Sequence, residues 1–132
     1  MIARPTTSGL LLRTALGVSL VVGGYMHAEL YCRGYRSIPF IGPSFLIQAA
    51  ASFALAIVVL AAPWPLRLAA AALALGSLAA FALSRTTGLF GFTEIGWTPA
   101  PQAAITVLAE SLTVVLCALS MRHRPWRTEK MA

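Results

Sequence analysis

Long apolar runs separated by short polar or Pro/Gly-rich breaks dominate this chain. Four of them approach the ~20 residues that a helix needs to cross the hydrocarbon core of a bilayer. They cover about Thr14 to Tyr31, Pro43 to Ala62, Trp64 to Ser84 and Gln102 to Met121. The break between the second and third is PWPLR, residues 63–67, where two prolines stop one helix and begin the next, which predicts a very short hairpin. The other two breaks, about 32–42 and 85–101, are longer. No linker or shift in composition divides the chain, and no convincing internal repeat is visible, so residues 1–132 read as a single four-span domain. The fold class this predicts is all-α, an integral membrane four-helix bundle.

Within the runs the polar and small residues recur at helical spacing. Thr106, Glu110, Thr113 and Cys117 form one stripe, and Ser44, Gln48 and Ser52 form another. Ser77, Ser84 and Thr87 share a face with Ala80, and Gly17, Gly24 and His27 share one with Val21. Small residues on such stripes let helices approach closely, and hydroxyls bond across the interface. The stripes are therefore expected to face one another. His27 and Gln48 lie about one turn inside their spans, and Glu110 lies roughly 12 Å deep at ~1.5 Å per residue. With Arg85 closing the third span, these side chains are expected to converge in one half of the bundle.

Composition strengthens the membrane reading. The chain is 58% hydrophobic and only 11% charged, with mean hydropathy +0.79, more apolar surface than a soluble domain of this length could hide. Ten Lys and Arg stand against four Glu and no Asp, a net charge of +6. That excess does not read as nucleic-acid binding, because the basic residues sit at the ends of apolar runs, where they set topology and meet lipid headgroups. Arg4, Arg13, Arg67, Arg122, Arg124, Arg127 and Lys130 fall on one side; Arg33, Arg36 and Arg85 fall on the other. This places both termini and the short hairpin in the cytoplasm and the longer loops outside, in a multi-pass protein of the inner (plasma) membrane. Arg4 and Arg13 before an apolar run could mark a signal peptide. The run exceeds a typical h-region, however, and no convincing A-x-A site follows, so an uncleaved first span is expected. The basic tail MRHRPWRTEK, residues 121–130, reads as a topology signal, with anionic lipid or an acidic partner subunit as the alternative.

Glu110 is the most informative residue. A carboxylate at that depth costs a few kcal/mol unless it is paired, protonated or hydrated, and intramembrane acids are functional candidates by default. His27 or Arg85 could be its partner. His27 itself reads as a hydrogen-bonded core histidine, a proton-transfer partner for Glu110, or a metal ligand. Metal binding by His27 and Glu110 is weakly supported: zinc wants three or four ligands, and only Glu94 and Cys32 could join them. Copper on the same two residues is a further weak option. Glu29, two positions from His27, belongs to the rim and should pair with Arg33 at i+4. Cys32 and Cys117 fall at opposite ends of different helices, so no disulfide is expected, and no CxxC motif is present. The longer loops carry Tyr35, Phe40, Phe90, Phe92 and Trp97, which read as an interfacial aromatic belt or as a lid over the bundle.

Two stretches together carry a resemblance: GYRSIPFIGPSFL (34–46) and LSRTTGLFGFTEIGW (83–97). With His27 and Glu110, they resemble a group of small four-span membrane proteins of actinobacteria, whose pattern is approximately GYR-x-IP-x-IGP-x-FL followed by SRT-x-GLFGF-x-E. The resemblance covers most of the chain and implies the four-span plan; it supplies no activity. The plan also looks like that of DoxX-like four-helix proteins, by shape alone. Small multidrug transporters match in size but carry their essential Glu in the first span.

There is no Ser-His-Asp pattern, phosphate loop or metal-ligand cluster to support an enzyme. The leading expectation is an accessory or assembly subunit of a larger membrane complex, respiratory or copper-dependent. The alternative is a ligand site or proton pathway using His27, Gln48, Arg85, Glu94 and Glu110, with a quinone, lipid or metal ion as ligand. A small homodimeric transporter is a third option. The expected partners are membrane lipid and other membrane subunits or a second copy, with no cofactor specified.

Overall fold

A computed structural model describes residues 6–61 and 64–122. It consists of α1 (Thr7–Cys32), a 3-10 turn over Tyr35–Ser37, α2 (Ile41–Val58), α3 (Trp64–Ser84) and α4 (Gln102–Arg122). Among the described residues there is no strand, only an isolated bridge between Leu89 and Phe92. All four helices are long and apolar enough to cross a membrane, which makes this a multi-pass membrane protein. Large apolar side chains face outward along them, as Ile57 at 75% and Leu108 at 70% exposure illustrate. Only lipid makes such surfaces stable without a partner.

The helices correspond to the four apolar runs, with shifts at their ends. α1 begins at Thr7, well before Thr14, because Thr6 caps it: its hydroxyl accepts the Gly9 N–H at 3.3 Å. α2 stops at Val58, short of Ala62. Of the PWPLR break, Pro63 lies outside the described residues; α3 starts at Trp64, with Pro65 in its first turn, where no backbone donor is needed. The basic tail beyond Arg122 and residues 1–5 also lie outside the described residues.

α1 packs extensively against α2 and α4, and α3 packs against α4, whereas α2 and α3 touch sparsely. α1 and α3 thus occupy one diagonal of the bundle, and α2 and α4 the other. Near the hairpin between α2 and α3, Leu16, Leu20, Ala56, Val59, Ala70, Leu116 and Cys117 form the apolar core. Close approach of α1 to α2 depends on Gly24, where a Cβ would stand 3.0 Å from the Ser52 Cβ and 3.3 Å from the Ala49 carbonyl. α1 and α4 are joined by Ser19 and Thr113, whose hydroxyls lie 2.8 Å apart while also engaging the Leu16 and Ala109 carbonyls.

Two of the basic residues bind helix ends. Arg13 donates to the Leu60 carbonyl (3.1 Å) and Arg67 to the Ser120 carbonyl (3.3 Å), tying cations to carbonyls at the C-terminal ends of α2 and α4. At the opposite end, here called the loop end, Arg33 pairs with Glu29 at 2.6 Å as the i+4 spacing required. Cys32 is exposed and Cys117 buried, and both are free. The α1 stripe needs one correction: Gly17, Gly24 and His27 are buried as expected, but Val21 is 46% exposed, and Leu16, Leu20, Gly23 and Leu30 complete the buried face. A 3.6-residue period leaves the centre of a stripe ambiguous by one position, and contact with both α2 and α4 resolves it. Thr87 likewise falls outside the bundle, exposed beyond the end of α3.

Candidate functional site

Two hydrogen bonds across the diagonals mark the centre of the loop-end half. His27 on α1 and Ser77 on α3 approach through Nε2 and Oγ at 3.3 Å. Gln48 on α2 donates its amide to Glu110 Oε1 on α4 at 3.1 Å. His27 Nδ1 lies 2.9 Å from the Gly23 carbonyl, which only accepts, so Nδ1 carries a proton and Nε2 is the ring nitrogen turned to Ser77. The same Nδ1 stands 3.9 Å from Glu110 Oε1, in contact but beyond hydrogen-bond length. Space for the carboxylate comes from Gly23, where a Cβ would stand 3.2 Å from Oε1. A buried acid thus receives one amide donor and lies against a histidine, with the side chains of four helices meeting at one level.

Glu110 was expected to find His27 or Arg85. Arg85 does not serve, because its guanidinium is committed at the end of the bundle. It pairs with Glu94 at 2.8 Å, donates to Ser84 and to the Gly96 and Thr98 carbonyls, and lies 3.9 Å over the Phe81 ring. Glu94 in turn accepts a hydrogen bond from the Tyr35 hydroxyl. Burial, with the adjacent Glu94 carboxylate acting in the same direction, pushes the Tyr35 phenol up from its ordinary value. This node connects the turn after α1 to the long loop after α3. Around it the aromatics pack on one another: Tyr35 stacks on Phe45 at 5.0 Å, Phe92 meets Tyr35 edge-on at 5.8 Å, and Phe40 meets Phe90 at 5.2 Å. Of the two readings of these loops, the lid accounts for Tyr35 and Phe92. Phe40, Phe90 and Trp97 keep more than half their surface exposed, as a belt would.

Beneath this roof is a cavity of about 410 Å³. Its walls are mainly aliphatic and aromatic, with Phe45, Phe81 and Phe92 among them. Its polar groups come from His27, Gln48, Ser77 and Thr106 at the floor and from Tyr35, Arg85 and Glu94 under the roof. The Thr106 hydroxyl is buried and has no hydrogen-bond partner, an unusual state for a buried polar group. Four of the five candidates from the sequence, His27, Gln48, Arg85 and Glu94, line this one space; Glu110 stands behind Gln48 and is held by it. Ser77, Thr106 and Tyr35 were not singled out as site residues, although Ser77 and Thr106 lie on the stripes that the spacing defines. As for metal binding, His27 and Glu110 adjoin, but no group of three or more His, Cys, Asp or Glu side chains forms among the described residues.

No family model matches the chain, and neither a curated protein nor a solved structure does.

Proposed function

We propose that this is a small ligand-binding membrane protein whose loop-end cavity holds a neutral amphiphile, its polar head directed at His27, Gln48, Ser77 and Thr106. The observation that carries this reading is the cavity itself: apolar walls that converge on a few polar groups, one of them an unpartnered buried hydroxyl. Neutral ligands are favoured because the two charged side chains that line the cavity, Arg85 and Glu94, already neutralise each other. The seven-to-three division of basic residues supports cytoplasmic termini and an outward-facing loop end in the plasma membrane. Kinship with the actinobacterial four-span group belongs to the same proposal, since Tyr35, Ser84, Arg85 and Glu94, which build the roof, are part of the pattern that carries the resemblance.

The test is extraction. The protein is purified in mild detergent, and its organic extract is analysed by mass spectrometry beside bulk membrane lipid. The expected result is one neutral amphiphile, enriched near stoichiometry and lost in His27→Ala and Ser77→Leu. An extract matching bulk lipid in wild type and variants alike refutes the reading.

A second reading, an accessory subunit of a larger membrane complex, is favoured by the apolar tips of the loops. Ile95 is 88% exposed, and Phe40 and Phe90 are 65% and 68% exposed. Gentle purification from the native membrane tests it: co-purifying subunits support it, and an isolated chain at full yield refutes it.

A further inference from the structure

The cavity is closed on all sides but one. The Tyr35–Glu94–Arg85 node and its aromatics cover the end, and the packed α1–α2, α1–α4 and α3–α4 interfaces close three flanks. The remaining flank is different. α2 and α3 meet near the hairpin, where Ala56, Val59 and Ala70 share the core, and between Gln48 and Ser77 the cavity separates them. Ser44, Gly76 and Ala79 line the cavity yet are exposed on the surface, so they form its mouth. The α3 lip is low because Gly76, Ala79 and Ala80 are small, and a Cβ at Gly76 would meet nothing within 4 Å. From Ser84, Gly76 lies roughly 12 Å down the helix at ~1.5 Å per residue, within the hydrocarbon rather than at the headgroups.

We infer that the mouth between α2 and α3 opens sideways into the bilayer, and that the occupant is a tailed ring lipid of the quinone class whose ring lies over the polar floor and whose tail leaves past Gly76. This rests on the ligand-site reading above. A flat ring suits walls made by Phe45 and Phe81, and its oxygen substituents suit a floor that carries the second N–H of the Gln48 amide, the remaining lone pairs of Ser77 Oγ and the unpartnered Thr106 hydroxyl. Among the described residues that line the cavity, a phosphate headgroup finds no available cation, because Arg85 already has Glu94, Ser84 and two carbonyls. A site entered from lipid also has no need of a mobile roof.

Trp97, whose ring lies 5.6 Å from Phe81, provides the reporter. In lipid nanodiscs, a Trp64→Phe/Trp126→Phe protein is titrated with decyl-benzoquinone and with methyl-benzoquinone, following quenching of Trp97. Both should quench saturably. Gly76→Phe should weaken the decyl compound about tenfold, the equivalent of ~1.4 kcal/mol, and the methyl compound by less than about twofold. Ala79→Phe, on the same lip, should repeat the pattern and serves if Gly76→Phe does not fold by circular dichroism. If both quinones bind but neither substitution separates them, the sideways path is overturned and the ligand site stands. If long-chain monoacylglycerol displaces the decyl compound at equal concentration, the ring class is overturned. If neither quinone quenches Trp97 of the Trp64→Phe/Trp126→Phe protein saturably while extraction still yields a bound amphiphile, the quinone assignment alone fails. If extraction yields none as well, the ligand-site reading fails with it.

Discussion

Two ion pairs at the loop end are close to equal in length, and they should differ several-fold in worth. Arg33–Glu29 measures 2.6 Å and Arg85–Glu94 2.8 Å, so distance alone ranks the first higher. Burial reverses the order: Arg33 is 64% exposed, whereas Arg85 and Glu94 are 14% and 16% exposed. An exposed i,i+4 pair contributes no more than about 0.5 kcal/mol. Replacing Arg85 with Leu removes the ion pair together with donors to the Gly96 and Thr98 carbonyls, and leaves the Glu94 carboxylate with Tyr35 as its remaining side-chain partner. With charge-assisted hydrogen bonds at about 1.5–3 kcal/mol and partial access to water, the loss should be about 3 kcal/mol. Glu94→Leu should cost about 2 kcal/mol, since Arg85 keeps its carbonyl partners. The double variant should lose less than the sum, with a coupling of about 1–2 kcal/mol. Unfolding in mixed micelles of increasing SDS fraction, followed by Trp97 fluorescence, measures all three against Arg33→Leu. A coupling within 0.3 kcal/mol of zero, or an Arg85→Leu loss no larger than that of Arg33→Leu, would refute the account of the roof.

Other outcomes are expected. The Tyr35 phenol is held protonated in the fold, so its contribution is intact below the ordinary tyrosine value near 10 and is lost as pH rises above it. Alkaline unfolding of wild type should therefore steepen above about pH 10 relative to Tyr35→Phe, and the phenolate absorbance should show a late-titrating phenol that the variant lacks. Gly23→Ala and Gly76→Ala form a matched contrast. The first brings a methyl to 3.2 Å from Glu110 Oε1 and should destabilise; the second meets nothing within 4 Å and should stabilise α3 by up to about 1 kcal/mol. Equal effects in SDS titration would contradict the packing around Glu110. Ser19→Ala and Thr113→Val should each be mild, with a coupling of about 0.6 kcal/mol, typical of hydroxyl bonds between membrane helices. A coupling of zero would show that the 2.8 Å contact adds nothing beyond each hydroxyl's bond to its own helix.

Hydropathy and helical spacing by themselves determined a good part of this protein. Apolar runs of membrane length admit one satisfied backbone, the helix, so the number and order of the elements followed directly. The stripes through Gln48 and Glu110 pointed inward because a polar group facing lipid has no partner. The i+4 spacing of Glu29 and Arg33 was enough to pair them, because both lie on one helix. Partners on different elements were another matter. Nothing local distinguishes Arg85 meeting Glu110 from Arg85 meeting Glu94; the loop decided it by carrying Glu94 back under the end of α3, where its N–H binds the Ser84 carbonyl at 2.9 Å. That His27 reaches Ser77 on α3 as well as Glu110 on α4 depends on how the four helices pack, which spacing along α1 does not encode. Whether Val21 or Leu20 faced the core depended on α1 contacting two neighbours at once. The cavity is a property of helix separation, which no residue of α2 or α3 encodes alone. It exists because these two helices meet at the hairpin and part toward the loops.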